Sequence, residues 1–518
     1  MSKTLADLLP GVAAQYVIGD LAVPIRSLVY DSRRVEPGSL FVAIRGQHSD
    51  GHHFIPQALS RGAAALVVDQ RYWQGPAPAG VPVVVVADSR VVLAPLAAAF
   101  YDYPGRELIT IGITGTKGKS TTTDLTAQLL AATGSAVGMI STVDFQIGAR
   151  RWPNDTRQST PEAPDVQALL REMVAAGCNM AVIEATSHAL SPRWGRLVGC
   201  AFAVAVMLNI GHEHLDYHGS FEQYRADKAQ LFALLAERTG PTWAIVNADD
   251  PNHHHFLAAA PATASRLRYG LNEPAEVQGR LIQSGPMGSV VRVSSPWGVT
   301  DLTVPLPGRF NASNALAALA VALTQGIPLA TAAAALASVR APRGRMAPVN
   351  AGQPFGVIVD YAHNPDSFEQ IFAMLRPQVQ GRMIAVFGSA GERDVAKRAI
   401  QGEIAGQMCD LLVLTDEDPR GEDREAIIAQ IAAGAERAGK RAGSGYLCIP
   451  DRAQAIRAAL AAARPGDLVL LLGKGHEGSI IYADHAIPWD EAGEARRALA
   501  ELGYAGHTEM HKSSQEPG

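Results

Sequence analysis

Short apolar runs alternate with Ala/Leu-spaced helical patterns along most of the chain, and the alternation starts afresh three times. In the first stretch, apolar runs at 40–44, 64–68 and 81–86 are separated by turn clusters such as Glu36-Pro37-Gly38 and Ser49-Asp50-Gly51. This predicts a small α/β domain over 1–105, closed by Tyr103-Pro104-Gly105. The second stretch carries strand-like runs at 108–113, 180–183, 202–208 and 243–246, spaced by helical patterns as in parallel βαβ units. A more polar patch at 281–307 and an Ala-rich helix at 314–324 complete a second domain over 106–338. After Pro342-Arg343-Gly344-Arg345 a third alternation, with runs at 355–359, 383–387, 411–414 and 468–472, predicts a third α/β domain over 339–504. These runs end in polar or Gly-rich residues, where open α/β sheets bind ligands. Residues 505–518 are expected to form a disordered tail.

Length agrees with this division, since 518 residues at about 150 per domain make about three domains. A formal charge of −5 and 47% hydrophobic residues leave no polybasic surface, so nucleic acid and anionic membrane are not expected partners. The first residues, Met1-Ser2-Lys3-Thr4-Leu5-Ala6-Asp7, lack a signal-peptide pattern, and no apolar stretch approaches the ~20 residues of a membrane helix. A cytoplasmic protein is expected. Cys178, Cys200, Cys409 and Cys448 are widely spaced, which predicts buried small hydrophobes and neither disulfides nor a zinc ribbon.

The candidate chemistry starts at Gly112-Ile113-Thr114-Gly115-Thr116-Lys117-Gly118-Lys119-Ser120-Thr121, between an apolar run and a helical pattern. Such a segment wraps a phosphate in backbone N–H groups; Lys119 would reach the terminal phosphates and Ser120 would hold Mg²⁺, the alternative being a structural Gly-rich turn. The compact spacing resembles the ATP loop of Mur ligases and folylpolyglutamate synthetases. Glu184 ends an apolar strand, where it could meet that Mg²⁺ or serve as a salt-bridged structural acid. His212-Glu213-His214-Leu215-Asp216-Tyr217-His218 is not a zinc peptidase motif, because Asp216 stands where His-Glu-x-x-His needs its second histidine. Asn252-His253-His254-His255 is expected in a solvated surface loop.

The order of segments resembles the Mur ligase family over nearly the whole chain to about residue 500. Within the family it is most similar to the branch that extends UDP-N-acetylmuramoyl-L-alanyl-D-glutamate. The resemblance implies an α/β fold of three domains: a small N-terminal UDP-sugar domain, a central P-loop ATPase domain with a mostly parallel sheet, and a C-terminal Rossmann-like ligase domain. Asp31-Ser32-Arg33-Arg34-Val35-Glu36-Pro37-Gly38 and Asp50-Gly51-His52-His53-Phe54-Ile55 resemble the UDP-sugar domain, which implies nucleotide-sugar contacts from Ser32, Gln47, His48 and Ser49. Asn209-Ile210-Gly211-His212-Glu213-His214-Leu215-Asp216-Tyr217-His218-Gly219 matches the family's Asn-Leu-Ser-Arg-Asp-His-Leu-Asp-Tyr-His-Gly, making His214 the metal histidine. Lys228 matches the lysine that the family carbamylates with CO₂, turning a cation into an anion able to ligate a second Mg²⁺. By residue type alone it would be a surface lysine. Thr186, Ser159, Thr160 and Arg196 would bind the UDP-sugar. Gly115, Thr116, Lys117, Gly118, Lys119, Ser120 and Thr121 would bind ATP, joined by Asn311 and, from the third domain, by Arg345 and Asp360. Residue by residue, Asn311 could equally be a helix cap and Asp360 a turn residue.

The incoming amino acid would be chosen by Glu417-Asp418-Pro419-Arg420, where diaminopimelate enzymes carry Asp-Asn-Pro-Arg, with help from Arg393, Gly473 and Glu477. Asp418 in place of Asn adds a negative charge that favours an ammonium, as in lysine or ornithine, over a second carboxylate. Other departures are Gln158-Ser159-Thr160-Pro161 for Asn-Thr-Thr, Lys117 for Asn, and a segment at 191–195 about two residues longer than the family pattern before Arg196. The implied reaction is ATP-dependent amide ligation through an acyl phosphate. It joins UDP-N-acetylmuramoyl-L-alanyl-D-glutamate to a free diamino acid: meso-diaminopimelate, L-lysine or L-ornithine. Lys119, Glu184, His214 and carbamylated Lys228 serve the chemistry, and the last three with Ser120 hold Mg²⁺ in a monomeric peptidoglycan-precursor enzyme. Another Mur-like or folylpolyglutamate-type ligase and a non-catalytic UDP-muramoyl sensor are the alternatives.

Overall fold

A computed structural model describes residues 3–46, 49–73, 75–156, 158–211, 215–285 and 288–504, apart from the side chains of 215 and 216. The chain divides into two units. One runs from the N-terminal residues through Leu281 and includes Val291–Leu302 and Ser313–Val339; the other comprises Ile282–Val290, Thr303–Ala312 and the chain from Arg340 on.

The apolar runs are strands with both faces covered, which is why they read as continuous and not alternating. In the first unit, Ser39–Val42, Ala65–Asp69 and Val83–Val86 form parallel neighbours in a five-stranded sheet, with Ser27–Val29 at one edge and antiparallel Ala14–Ile18 at the other. A larger sheet has the parallel order Val137–Ile140, Met180–Glu184, Ile109–Thr114, Val204–Met207, Trp243–Asn247, Ser265–Gly270. Chain order reverses beside Ile109–Thr114, whose neighbours come later in sequence on both sides, so a crevice opens at the carboxyl ends of these strands. The phosphate loop, Glu184 and Asn209 all leave the sheet there. The polar patch at 281–307 is strand as well, within Val277–Gly285, Gly288–Ser295 and Gly298–Val304.

In the second unit, Gly356–Asp360, Leu468–Leu472, Met383–Phe387, Leu411–Leu414 and Tyr446–Cys448 are parallel in that spatial order. The strand latest in sequence is thus inserted between the first two, again making a switch point at the carboxyl ends. Helices Ala396–Met408 and Arg424–Arg437 pack against each other through Gly402 and Gly434. A Cβ on Gly402 would collide with the Ile431 carbonyl and one on Gly434 with the Ala399 carbonyl, so the two backbones touch.

Two expectations are corrected. His253 to His255 open the helix His253–Ala259 and are not a loop; the Asp250 side chain accepts the Asn252 N–H at 2.8 Å and turns the chain into it. Cys178, Cys200 and Cys409 are buried, but Cys448 is exposed because it ends an edge strand. Among the described residues no helix is long and apolar enough to cross a membrane. The tail at 505–518 lies outside the described residues.

Candidate active site

Gly118 caps the helix Lys119–Ala132 in a left-handed conformation, φ +86°, and a Cβ there would run into the Asn314 side chain. Only glycine suits both conditions. Asn209 braces the loop: its carbonyl accepts the Thr116 N–H at 2.8 Å, its Oδ1 the Lys117 N–H at 2.9 Å, and its amide donates to the Lys117 carbonyl at 2.9 Å. Thr116 Oγ1 accepts the Gly211 N–H at 2.8 Å and lies 3.0 Å from the Tyr224 hydroxyl. Thr121 is buried in the first turn of the helix.

Two ammonium groups converge on one carbonyl in this loop. Lys119 Nζ donates to the Gly115 and Thr116 carbonyls at 3.0 and 2.8 Å, and Lys228 Nζ donates to the same Gly115 oxygen at 2.7 Å. Lys228 is 1% exposed, on the buried side of the helix Phe221–Ala233, which rules out the surface role its residue type suggests. Glu184, equally buried, accepts from the Ser120 hydroxyl at 3.1 Å and from the Thr142 N–H at 2.8 Å. It has no basic partner among these bonds, so the salt-bridged reading gives way to a carboxylate held by neutral donors. Ser120 and Glu184 are hard oxygen donors side by side, a set that suits Mg²⁺. Among the described residues no three His, Cys, Asp or Glu side chains gather as a metal group. His214 lies outside the described residues, as do Gln47 and His48.

A second cluster adjoins Glu184 through Thr160, whose hydroxyl donates to the Glu184 carbonyl at 2.7 Å and lies 3.1 Å from Thr186 Oγ1. Arg196 donates to the Thr160 carbonyl at 3.0 Å and to Glu162 at 2.8 Å. Thr160, Thr186 and Arg196 are therefore brought together, with half-buried Ser159 next in the chain. Ser32 belongs to a different neighbourhood and donates to Gln57 at 2.8 Å; Ser49 is exposed and its carbonyl accepts the Gly46 N–H. Sequence reading missed a buried network here. His218 bridges Asp227 and Ser187 at 2.7 and 3.1 Å, and only the fold brings these three residues together.

In the second unit, Asp360 accepts the Met346 and Ala362 N–H groups at 2.7 and 2.8 Å, and burial raises its pKa against the pull of Arg345. Arg345 lies over the Tyr361 ring at 4.9 Å, while the buried Asn311 amide donates to the Pro307 carbonyl at 2.8 Å. The loops after Leu411–Leu414 and Leu468–Leu472 interlock. Lys474, fully buried, donates to Asp418 at 2.8 Å and to Glu477 at 2.7 Å; the Ile481 N–H donates to Asp418 at 3.0 Å; the Tyr361 hydroxyl donates to Glu477 at 3.3 Å. Lys474 and a backbone donor thus already answer the Asp418 carboxylate, a pairing that the charge argument from sequence did not include. Glu417 is the uncommitted acid: it is buried, Oε2 has no hydrogen-bond partner, and burial pushes its pKa up to about 7. Gly473, φ +100°, keeps the space beside it, since a Cβ would stand 3.0 Å from that Oε2. Arg420 follows Pro419 with φ +54°, its backbone N–H on the Ile481 carbonyl and its buried Nε without a partner. Arg393 is exposed and is not drawn into this network.

Arg452 was not foreseen. Fully buried, it pairs with Glu491 and donates to the Asp416 and Leu472 carbonyls at 2.8 and 2.7 Å, pinning both strands where their loops begin. Nothing local marks it, because Asp451-Arg452 reads as an ordinary helix start. Lys474 stands inside the Gly-Lys-Gly-His-Glu segment and Asp418 inside Glu417-Asp418-Pro419-Arg420, so both segments carried a signal, but their pairing across 56 residues did not.

Residues 24–101 match the Mur ligase family catalytic domain, 113–322 the Mur ligase middle domain and 344–475 the Mur ligase glutamate ligase domain. The chain is 60% identical over 489 residues, 93% of its length and 96% of the relative's, to a UDP-N-acetylmuramyl-tripeptide synthetase of Roseiflexus sp. strain RS-1. It is 41% identical over 505 residues to the UDP-N-acetylmuramoyl-L-alanyl-D-glutamate–2,6-diaminopimelate ligase of Geobacillus thermodenitrificans, covering 96% and 99% of the two chains. A solved structure of a ligase of that diaminopimelate type superposes with a TM-score of 0.70 at 28% identity, covering 98% of this chain and 100% of the other. With a phosphate loop, two converging lysines and full-length relatives in agreement, this ATP-using chain belongs to the Mur ligase family.

Proposed function

We propose that the chain joins a free diamino acid to UDP-N-acetylmuramoyl-L-alanyl-D-glutamate at the expense of ATP, in the cytoplasm and as a monomer. The observation that carries this is the meeting of Lys119 and Lys228 at the Gly115 carbonyl, beside the Ser120–Glu184 pair. Two ammonium groups meeting at one loop carbonyl, Lys228 buried and Lys119 half-buried, suit a site that receives a triphosphate and a carboxylate together. Lys119 would turn from the loop carbonyls to the terminal phosphates. Ser120, Glu184, His214 and Lys228 as its carbamate would hold Mg²⁺, which supplies charge neutralisation where carboxylate and triphosphate meet. Thr160, Thr186 and Arg196 would orient the UDP-linked substrate so that its free γ-carboxylate attacks the γ-phosphate and ADP leaves; the incoming amine then attacks the acyl phosphate, forming the amide as inorganic phosphate and a proton depart. Ser32, Gln47, His48, Ser49 and Ser159 are read as further UDP-sugar contacts, and Gly115 to Thr121, Asn311, Arg345 and Asp360 as ATP contacts.

Glu417 is read as the acceptor of the amino acid's ammonium. A neutral acid near pH 7 ionises when a cation arrives, so no fixed charge is stranded in the empty pocket. Arg420, Asp418, Pro419, Gly473 and Glu477 are read as the remainder of that subsite, with exposed Arg393 as a further contact to the substrate. The working division is 1–105 for the UDP-sugar, 106–338 for ATP and 339–504 for the amino acid.

The test is phosphate release from ATP with the UDP-linked dipeptide and, in parallel, meso-diaminopimelate, L-lysine or L-ornithine, with product mass. Release dependent on one amino acid supports the ligase and names its substrate. A protein that binds the UDP-sugar and releases no phosphate with any of the three is a sensor instead.

A further inference from the structure

Arg90, Trp194 and Arg196 form a stack. The Arg90 guanidinium lies 3.9 Å and that of Arg196 5.1 Å from the Trp194 ring centroid. Both arginine side chains are 11% exposed, and Glu162 is the carboxylate shared between them, 2.8 Å from Arg196 and 3.7 Å from Arg90. Two largely buried cations share one contacting carboxylate, with Asp88 acting on Arg90 from farther off, so their positive charge is only partly answered where water screens it weakly. Three buried atoms here have no hydrogen-bond partner: Arg90 Nη1, Trp194 Nε1 and Arg196 Nε. All three are donors, so the group that completes them accepts hydrogen bonds and carries negative charge.

The cluster is also placed for the reaction. Arg196 holds the Thr160 carbonyl, and Thr160 holds the Glu184 carbonyl, so the stack stands two hydrogen bonds from the candidate metal acid. Trp194 lies within 191–195, the segment read from the resemblance as about two residues longer than the family pattern. Burial draws the Arg90 pKa down, opposed by Glu162, and a bound anion would relieve that penalty.

We propose that Arg90 and Trp194 complete an anion clamp with Arg196 that grips the UDP-linked substrate through its pyrophosphate or a peptide carboxylate. Trp194 is the positioning element. Its faces hold the guanidiniums by cation–π contact and its N–H adds a neutral donor. The inference rests on the reading of Arg196 as a UDP-sugar contact.

The experiment follows tryptophan fluorescence of the full-length protein during titration with UDP and with UDP-N-acetylmuramoyl-L-alanyl-D-glutamate, in wild type and Trp194→Phe. Steady-state constants are measured for Arg90→Met and Arg90→Lys. The expected result is a fluorescence change in wild type that Trp194→Phe abolishes, and a KM for the UDP-linked substrate raised about tenfold or more in Arg90→Met. The KM for ATP should move by less than about twofold, and Arg90→Lys should recover part of the loss. A response to UDP alone assigns the anion to the pyrophosphate; a response only to the dipeptide conjugate assigns it to a carboxylate. Wild-type KM in Arg90→Met with only a lowered melting temperature, or a full fluorescence change retained in Trp194→Phe, overturns the clamp and leaves a structural stack. If equilibrium dialysis finds no binding of the UDP-linked substrate to wild type, the functional reading fails together with the clamp.

Discussion

The phosphate loop and the interlocked loops after Leu411–Leu414 and Leu468–Leu472, proposed above as the amino-acid loops, hold charge by opposite means. At the phosphate loop two ammonium groups donate to backbone carbonyls of the loop itself. At the amino-acid loops the charges are locked to one another across long separations, Lys474 to Asp418 and Arg452 to Glu491. A lysine on a carbonyl can leave for a phosphate at little cost. A buried ion pair cannot be opened without stranding a charge, so it fixes geometry. Under the proposed function, the first region would change partners during turnover while the second stays as it is.

The contrast can be broken most sharply at Lys228. Lys228→Ala should lower ligation by at least about 10³-fold while ATP still binds, read by phosphate release and nucleotide titration. Unchanged activity would remove the second lysine from the chemistry. Arg452→Met should act on stability instead, costing about 3–5 kcal/mol because Glu491 is left buried and unpaired. Urea denaturation checks it, and adding Glu491→Gln should recover most of the loss; equal instability of the double variant would deny that the stranded charge is the cause.

Glu417→Gln probes the group that lacks a committed partner. Its folded-state pKa is raised, from 4.5 to about 7, so the fold favours the protonated acid, and wild-type stability falls as pH rises through that window. The glutamine variant should match wild type below pH about 4.5 and exceed it by on the order of 3 kcal/mol above pH about 7. Melting curves across that range test this, and a pH-independent difference would count against a buried proton. Asp418→Asn should have the smallest effect, shifting the preference between lysine and diaminopimelate by less than about tenfold, because Lys474 already neutralises the acid. A larger shift in competition assays would restore Asp418 as the selector.

The same contrast decides what the sequence could reveal. The strands were legible because burial on both faces writes them as apolar runs, and the phosphate loop because its glycines, lysine and serine must be neighbours in the chain. Partners that meet only in space left no such mark: Lys474 with Asp418, Arg452 with two carbonyls, and His218 with Ser187 and Asp227. The misjudged helix at His253 had a local signal, the Asp250 side chain turning the chain before it, which a run of histidines obscured. Cys448 misled because its exposure is set by the strand order, with its own strand at the sheet edge.

Helices Ala396–Met408 and Arg424–Arg437 meet main chain to main chain at Gly402 and Gly434. No side-chain layer there can be thickened or thinned, so evolution has no shim with which to widen the span between the loops these helices follow. Under the proposed function, a change of amino-acid substrate would be made by exchanging side chains on the loops, over a frame whose gauge is fixed by two missing methyl groups.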